Sequence, residues 1–277
     1  MSTFVDEFRG TDKLMIAKVL TDDNTTGYTT GTVQKLAPVA EIARATDTAS
    51  DTKYYDNAPA FTINAEGADT ITLTVPVLDI ATLGLITGKT VDPLTGALMD
   101  GESTPTYFAL GYRLRLTDGT YRYVWRYKGS FAIPDETSQT ENAGTDSNNQ
   151  TLTFTGIMTQ HIFSKTNAPQ KALVVDERDG KADLSTFFDN VTTCDSLTTL
   201  TTYTITNTLT HCTTNNSATV ANSGESYLAQ ITADEGYTLG AITVTMGGTT
   251  ITSVSVAGNN VVIPAISGNV VITCTAS

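Results

Sequence analysis

Two histidines, His161 and His211, and three cysteines, Cys194, Cys212 and Cys274, are the side chains best suited to nucleophilic or metal chemistry in this 277-residue chain. A Ser/His/Asp or Cys/His nucleophile needs its base within hydrogen-bond reach and a local turn that presents the attacking atom. Neither histidine sits beside such a signature, and the two lie in stretches of different composition. His161 reads as a surface residue at a strand end. The three scattered cysteines supply neither a disulfide framework nor a metal-ligand spacing. Cys274 alternates with Val270 and Ile272 and reads as a core thiol. Asp176-Glu177-Arg178-Asp179-Gly180 clusters carboxylates but lacks the alternating ligands of an EF-hand loop. Carboxylates are plentiful enough to offer a pair at glycosidase spacing by chance. The glycines punctuate turns and form no phosphate loop. Triplets such as Asn190-Val191-Thr192 follow from threonine richness. No catalytic residue, cofactor or metal is expected, and the chain reads as a non-enzyme.

The other chemistry available is charge. Net charge is −13, which argues against tight binding to nucleic-acid phosphates. Every lysine and arginine lies at or before Lys181, so residues 182–277 carry acidic charges only. A shift of that size marks a module boundary. Five basic residues, Arg113, Arg115, Arg122, Arg126 and Lys128, crowd one hairpin. A two-residue I′ turn at Asp118-Gly119 would pair Leu116 with Tyr121 and Tyr112 with Trp125. That register makes one face an aromatic wall and gathers the basic residues on the other, with Arg115 and Arg122 directly opposed. Such a face is either solvated or met by an acidic surface. Residues 133–149 offer one through Asp135, Glu136, Glu141 and Asp146, in a long polar loop of the kind that is functional or disordered. These nine residues form the expected subunit interface, the loop of one copy meeting the hairpin of the next.

The elements that must position them are strands. Phe61, Ile63 and Ala65 alternate, then Ile71, Leu73, Val75 and Val77, with Glu66-Gly67-Ala68-Asp69 as a turn between two strands. Asp79 caps a short helix through Ile80, Leu83 and Ile86 that stops at Gly88. A strand spans about 150–163, with Gly156 as a bulge. Asp183 caps a second short helix bearing Leu184, Phe187, Phe188 and Val191. Residues 192–202 read as a linker. Strands near 13–20 and 32–45 complete a mostly antiparallel domain, with Pro38 marking an edge or bulge. From about 203 onward, short strands separated by Gly247-Gly248 and Gly258-Asn259-Asn260 argue for a small β-sandwich. The domains expected are 1–192 and 203–277. Asp6, Glu7, Arg9, Asp12 and Lys13 exclude a secretory h-region within the first twenty residues, no stretch approaches a membrane span, and a reducing cytoplasm suits the cysteine usage.

The order of these features across roughly 32–163 resembles the major tail, or tail tube, proteins of long-tailed bacteriophages, in particular the phi13-type family. The carriers are Ser50-Asp51-Thr52-Lys53-Tyr54-Tyr55-Asp56-Asn57, the strand 70–77, the helix ending Leu83-Gly84-Leu85-Ile86-Thr87-Gly88, and Tyr107-Phe108-Ala109-Leu110-Gly111-Tyr112. Tyr127-Lys128-Gly129-Ser130-Phe131 and Leu152-Thr153-Phe154-Thr155 complete the order. The C-terminal module resembles immunoglobulin-like β repeats appended to phage structural proteins, through Ile231-Thr232-Ala233-Asp234-Glu235-Gly236-Tyr237 and Gly268-Asn269-Val270-Val271-Ile272-Thr273. The resemblance implies a tail-tube β-sandwich or barrel with a flanking helix, followed by a small immunoglobulin-like sandwich. It implies a virion protein, assembled in the host cytoplasm, whose hexameric rings stack into a tube for genome ejection. The partners implied are copies of itself, the tape measure, tail terminator and baseplate proteins, and DNA passing without specific binding. Cell-surface glycans would meet the C-terminal module; no membrane is involved. The alternative is a two-domain β binding module, an adhesin or carbohydrate binder.

Overall fold

Period-two alternation becomes strand almost throughout. The computed structural model describes residues 5–136, 138, 148–251, 255–257 and 259–277. The protein is mostly β, with one α-helix among the described residues. It divides into two units, Met1–Thr198 and Thr199–Ser277. The composition step at Lys181 therefore precedes the structural boundary, and Cys194 and Leu197, in the expected linker, pack within the first unit.

The first unit holds β1 (Phe8–Asp23), β2 (Gly27–Thr30), β3 (Gln34–Lys35), β4 (Glu41–Tyr55), β5 (Ala58–Val75), α1 (Ile80–Thr87), β6 (Thr90–Val91) and β7 (Leu98–Met99). It continues with β8 (Phe108–Leu116), β9 (Tyr121–Phe131), β10 (Gln150–Ile157) and β11 (Ala172–Asp176). The main sheet runs β2-β1-β8-β9-β10-β5-β4, with β3 beside β1 and β11 beside β9. Every pair in it is antiparallel. One face carries Leu14, Ile16, Leu110, Tyr112, Val124, Leu152, Phe154, Ile71, Leu73 and Val75, capped by Leu36, Leu78 and Ile86. Above β8 and β9 the other face carries Tyr123, Trp125 and Tyr127 beneath Phe163, Phe187 and Val191. Helix α1 forms as its caps require. The Asp79 carboxylate accepts from Thr82 N–H at 2.7 Å, and Gly88 ends the helix at φ 69°.

Four expectations are corrected. The hairpin at Asp118-Gly119 closes through three residues, 117–119, because Leu116 N–H donates to Thr120 O at 2.8 Å and Gly119 N–H to Leu116 O at 3.1 Å. Only Gly119 has positive φ, at 94°, whereas an I′ turn needs two such residues. The Asp118 carboxylate accepts from the Thr120 amide and hydroxyl and stabilises the longer loop. The register shifts by one: Tyr112 faces Val124, Arg113 faces Tyr123, Leu114 faces Arg122 and Arg115 faces Tyr121. Second, no turn breaks the chain at 66–69. β5 runs straight through, and Gly67-Ala68 form a bulge opposite Asp47, between the Thr46–Asp69 and Thr48–Glu66 pairs. Third, residues 183–191 form successive turns. Trp125 Nε1–H and the Thr192 hydroxyl donate to Phe187 O, at 2.9 Å each, and take the carbonyl a helix would offer to residue 191. Fourth, β10 ends at Ile157. Gly156 pairs regularly with Gly129 and Asp69, and Pro38 lies between strands.

The second unit contains β12 (Thr202–Thr210), β13 (Cys212–Thr214), β14 (Val220–Asn222), β15 (Tyr227–Ala233), β16 (Thr243–Met246), β17 (Thr249–Thr250), β18 (Ser255–Ala257), β19 (Asn260–Ile263) and β20 (Val270–Thr275). They form two sheets, β14-β12-β20-β16-β17 and β13-β15-β19-β18. Both sheets contribute to one core, including Ile205, Tyr227, Ile231, Val244, Val261 and Ile272. β12 and β20 pair in parallel, from Ile205–Val270 to Thr210–Thr275. Gly247 and Gly248, at φ 60° and 82°, close the β16–β17 hairpin as an I′ turn requires.

Gly111 lies directly across from Trp125, and a Cβ there would sit 2.7 Å from the indole ring. Gly111→Ala should therefore cost about 1–3 kcal/mol by overpacking. Urea unfolding followed by fluorescence measures this directly, since Trp125 is the only tryptophan.

Candidate functional site

The one-residue register shift dismantles the expected basic face. Arg113 and Arg115 share the side of Tyr121 and Tyr123, while Arg122 shares the side of Leu114 and Val124. Four of the five cations are paired within the chain. Arg113 grips Asp12 of β1 with two bonds of 2.7 Å and stacks 3.9 Å over the Tyr121 ring. Arg122 holds Asp176 of β11 at 2.6 and 2.8 Å. Arg126, 7% exposed, donates to Asp69 of β5 at 2.6 Å. Lys128 reaches Asp22 at the end of β1 at 2.6 Å. Arg115 alone is exposed with no ion pair among the described residues.

These pairs are staples between strands. Charge-assisted bidentate bonds fix the β8–β1 and β9–β11 pairings more firmly than neutral bonds would. Asp69 is 1% exposed. It accepts from Arg126 and, at 2.8 Å, from the Thr46 hydroxyl. Arg44 and Lys171 lie 3.6 and 3.7 Å away. A buried carboxylate needs such company, because desolvating an unpaired charge is prohibitive. Of the acidic residues expected at the interface, Asp135 forms a bridge to Thr151 and is exposed beside Glu136. Glu141 and Asp146 lie outside the described residues. The hairpin's cations thus face the chain's own aspartates, except at Arg115.

The residues that sequence reasoning misplaced lie on β4 and β5. Beyond the Gly67 bulge these strands leave the sheet as a two-stranded arm ending in Asp56-Asn57, both with positive φ (50° and 62°). Alternation assigns its faces. Phe61, Ile63 and Ala65 pair with Lys53, Asp51 and Ala49 on one side, and Tyr55 stacks on Phe61 at 6.1 Å. Thr62, Asn64 and Glu66 pair with Thr52, Ser50 and Thr48 on the other. The bulge inserts one residue, so the polar side of the arm continues the core side of Ile71, Leu73 and Val75. The apolar side of the arm is continuous with the outer face, where Thr70, Thr72 and Thr74 pair with Ala45, Ala43 and Glu41. Amphipathic polarity therefore inverts at Gly67. Phe61 and Ile63 remain 51% exposed, and Tyr54 and Tyr55 65% and 62%.

No protein-family model matches the chain, and no curated protein matches it. Among the described residues no group of three or more His, Cys, Asp and Glu side chains is placed to hold a metal, and no helix is long and apolar enough to cross a membrane.

The staples make acid stability predictable. For Asp22, burial alone would raise the pKa, but hydrogen bonds from Lys128 and the Gln160 and His161 amides outweigh it and hold the carboxyl below its usual range. Asp176 is lowered foremost by Arg122. A depressed folded-state pKa contributes stability in full above the unfolded value, about 3.9, and loses it as pH falls through the folded value. Stability of the first unit should fall steeply below about pH 4, and Asp176→Asn should flatten that limb in urea unfolding at a series of pH values. Asp69→Asn, which leaves Arg126 and Lys171 facing a neutral group, should cost about 3–5 kcal/mol at neutral pH in the same assay.

Proposed function

We propose that this chain is a structural protein that assembles with copies of itself, as rings stacked into the tail tube of a bacteriophage. The observation that carries the reading is the β4–β5 arm. From Thr48 to Tyr55 it extends about 25 Å at ~3.3 Å per residue. A two-stranded ribbon in water is marginal on its own. This one presents an aromatic and aliphatic stripe to solvent on the side facing away from its own core. Such a stripe becomes favourable when another subunit covers it, since burial stabilises by roughly 25 cal/mol per Å² of apolar surface.

Two further features support self-association. β4 is the end strand of the sheet and β2 the opposite end. An edge as long as β4 presents unpaired main-chain groups along its length, which invite pairing with another strand. Its charged residues, Glu41, Arg44, Asp47, Asp51 and Lys53, carry both signs and admit a partner of matched pattern while opposing indiscriminate stacking. The net charge of −13 suits a channel that DNA traverses without sticking. On this reading the second unit is an appended immunoglobulin-like module that meets cell-surface glycans.

Purified chain at high concentration should give rings or tubes by negative-stain microscopy and a corresponding fast boundary in sedimentation velocity. Phe61→Asp with Ile63→Asp should leave the circular dichroism of the subunit unchanged and abolish those assemblies. A wild-type chain that stays monomeric over a wide range of salt would favour the binding-module alternative. Deleting 200–277 should leave tube formation intact in the same micrographs.

A further inference from the structure

We propose that Cys212 and Cys274 form a disulfide between the two sheets of the second unit when the chain meets a low-molecular-weight disulfide oxidant. Cys212 opens β13 in one sheet and Cys274 lies near the end of β20 in the other. Their side chains enter the same core, at 7% and 1% exposure. The Cys212 thiol donates to the main-chain carbonyl of Cys274 with its sulfur 3.5 Å from that oxygen. The Cys274 thiol itself points to Gly240 O, with its sulfur 3.8 Å from that oxygen. A disulfide requires two cysteines to approach closely, and the Cys212 sulfur already lies against its partner's main chain. The sequence conceals the pair, because 62 positions separate the two residues. Cys194, the third cysteine, belongs to the first unit.

The chemistry is thiol–disulfide exchange with oxidised glutathione as the oxidant. One cysteine loses its proton and its thiolate attacks a glutathione sulfur, releasing one glutathione thiolate. The second cysteine then attacks the mixed disulfide and releases the other. Two S–H bonds give way to one S–S bond, and the two electrons and two protons leave as two molecules of reduced glutathione. Burial pushes the Cys274 thiol up, so the folded core resists attack and the bond forms as the sandwich closes or opens locally. The tie then restricts the unfolded chain over the long loop between the two residues.

The test uses the full chain, refolded from urea with either oxidised glutathione or a reductant. Oxidation should lower the thiols titratable in denaturant from three to one. Peptide mapping should join the segments holding Cys212 and Cys274. The melting transition of the second unit should rise on the order of 10 °C and return on reduction. Cys194→Ser should keep that redox shift, and Cys212→Ser should lose it when each variant is compared with its own reduced form. Three titratable thiols after oxidative refolding, glutathione adducts alone, or a link through Cys194 would overturn the proposal.

Discussion

The unequal covering of one sheet governs the first unit. Over β1, β8 and β9 both faces are buried, so β9 sends Val124 into one core and Trp125 and Tyr127 into the other. Over β10, β5 and β4 only one face has a core. The uncovered side shows rows of small side chains such as Thr153–Thr72–Ala43 and Thr155–Thr70–Ala45, which tolerate water. The arm extends that uncovered side and adds aromatic and aliphatic groups to it. The half-covered sheet and the inverted arm are thus one arrangement, a fold whose second layer stops where β10 begins.

Charge follows the same economy. An acidic chain with few cations uses Arg113, Arg122, Arg126 and Lys128 to join neighbouring and next-neighbouring strands. Removing one partner from the buried Arg126–Asp69 pair is costly because the other stays desolvated, which ties β9 to β5 across β10. The surplus negative charge then lies on the surface, where it repels polyanions and is screened by salt.

Much of this was legible in the sequence. Period-two alternation marked the strands, and Asp79 with Gly88 bounded the helix because capping is a local matter. The turn at Asp118-Gly119 was visible but its length was not, and one residue of loop length decides which side every later side chain takes. Gly67 posed the same difficulty in reverse. Phe61, Ile63, Ile71 and Leu73 share sequence parity and look like one face, yet the bulge puts the first pair opposite the second. The aspartate partners Asp12, Asp22, Asp69 and Asp176 were beyond reach, since each meets its cation through pairing between distant segments. The turns at 183–191 followed the helical spacing of Leu184, Phe187 and Val191, and were diverted by one indole N–H from a strand some sixty residues earlier.

The parallel pairing of β12 with β20 has a mechanical consequence. Six residue pairs, Ile205–Val270 through Thr210–Thr275, stand in register with both strands running the same way. Tension that draws Thr202 and Thr275 apart loads those rungs in shear, all at once, and cannot peel them singly as it would the strands of a hairpin. The module is therefore built to bear a pull along that axis, and should yield abruptly when it yields at all.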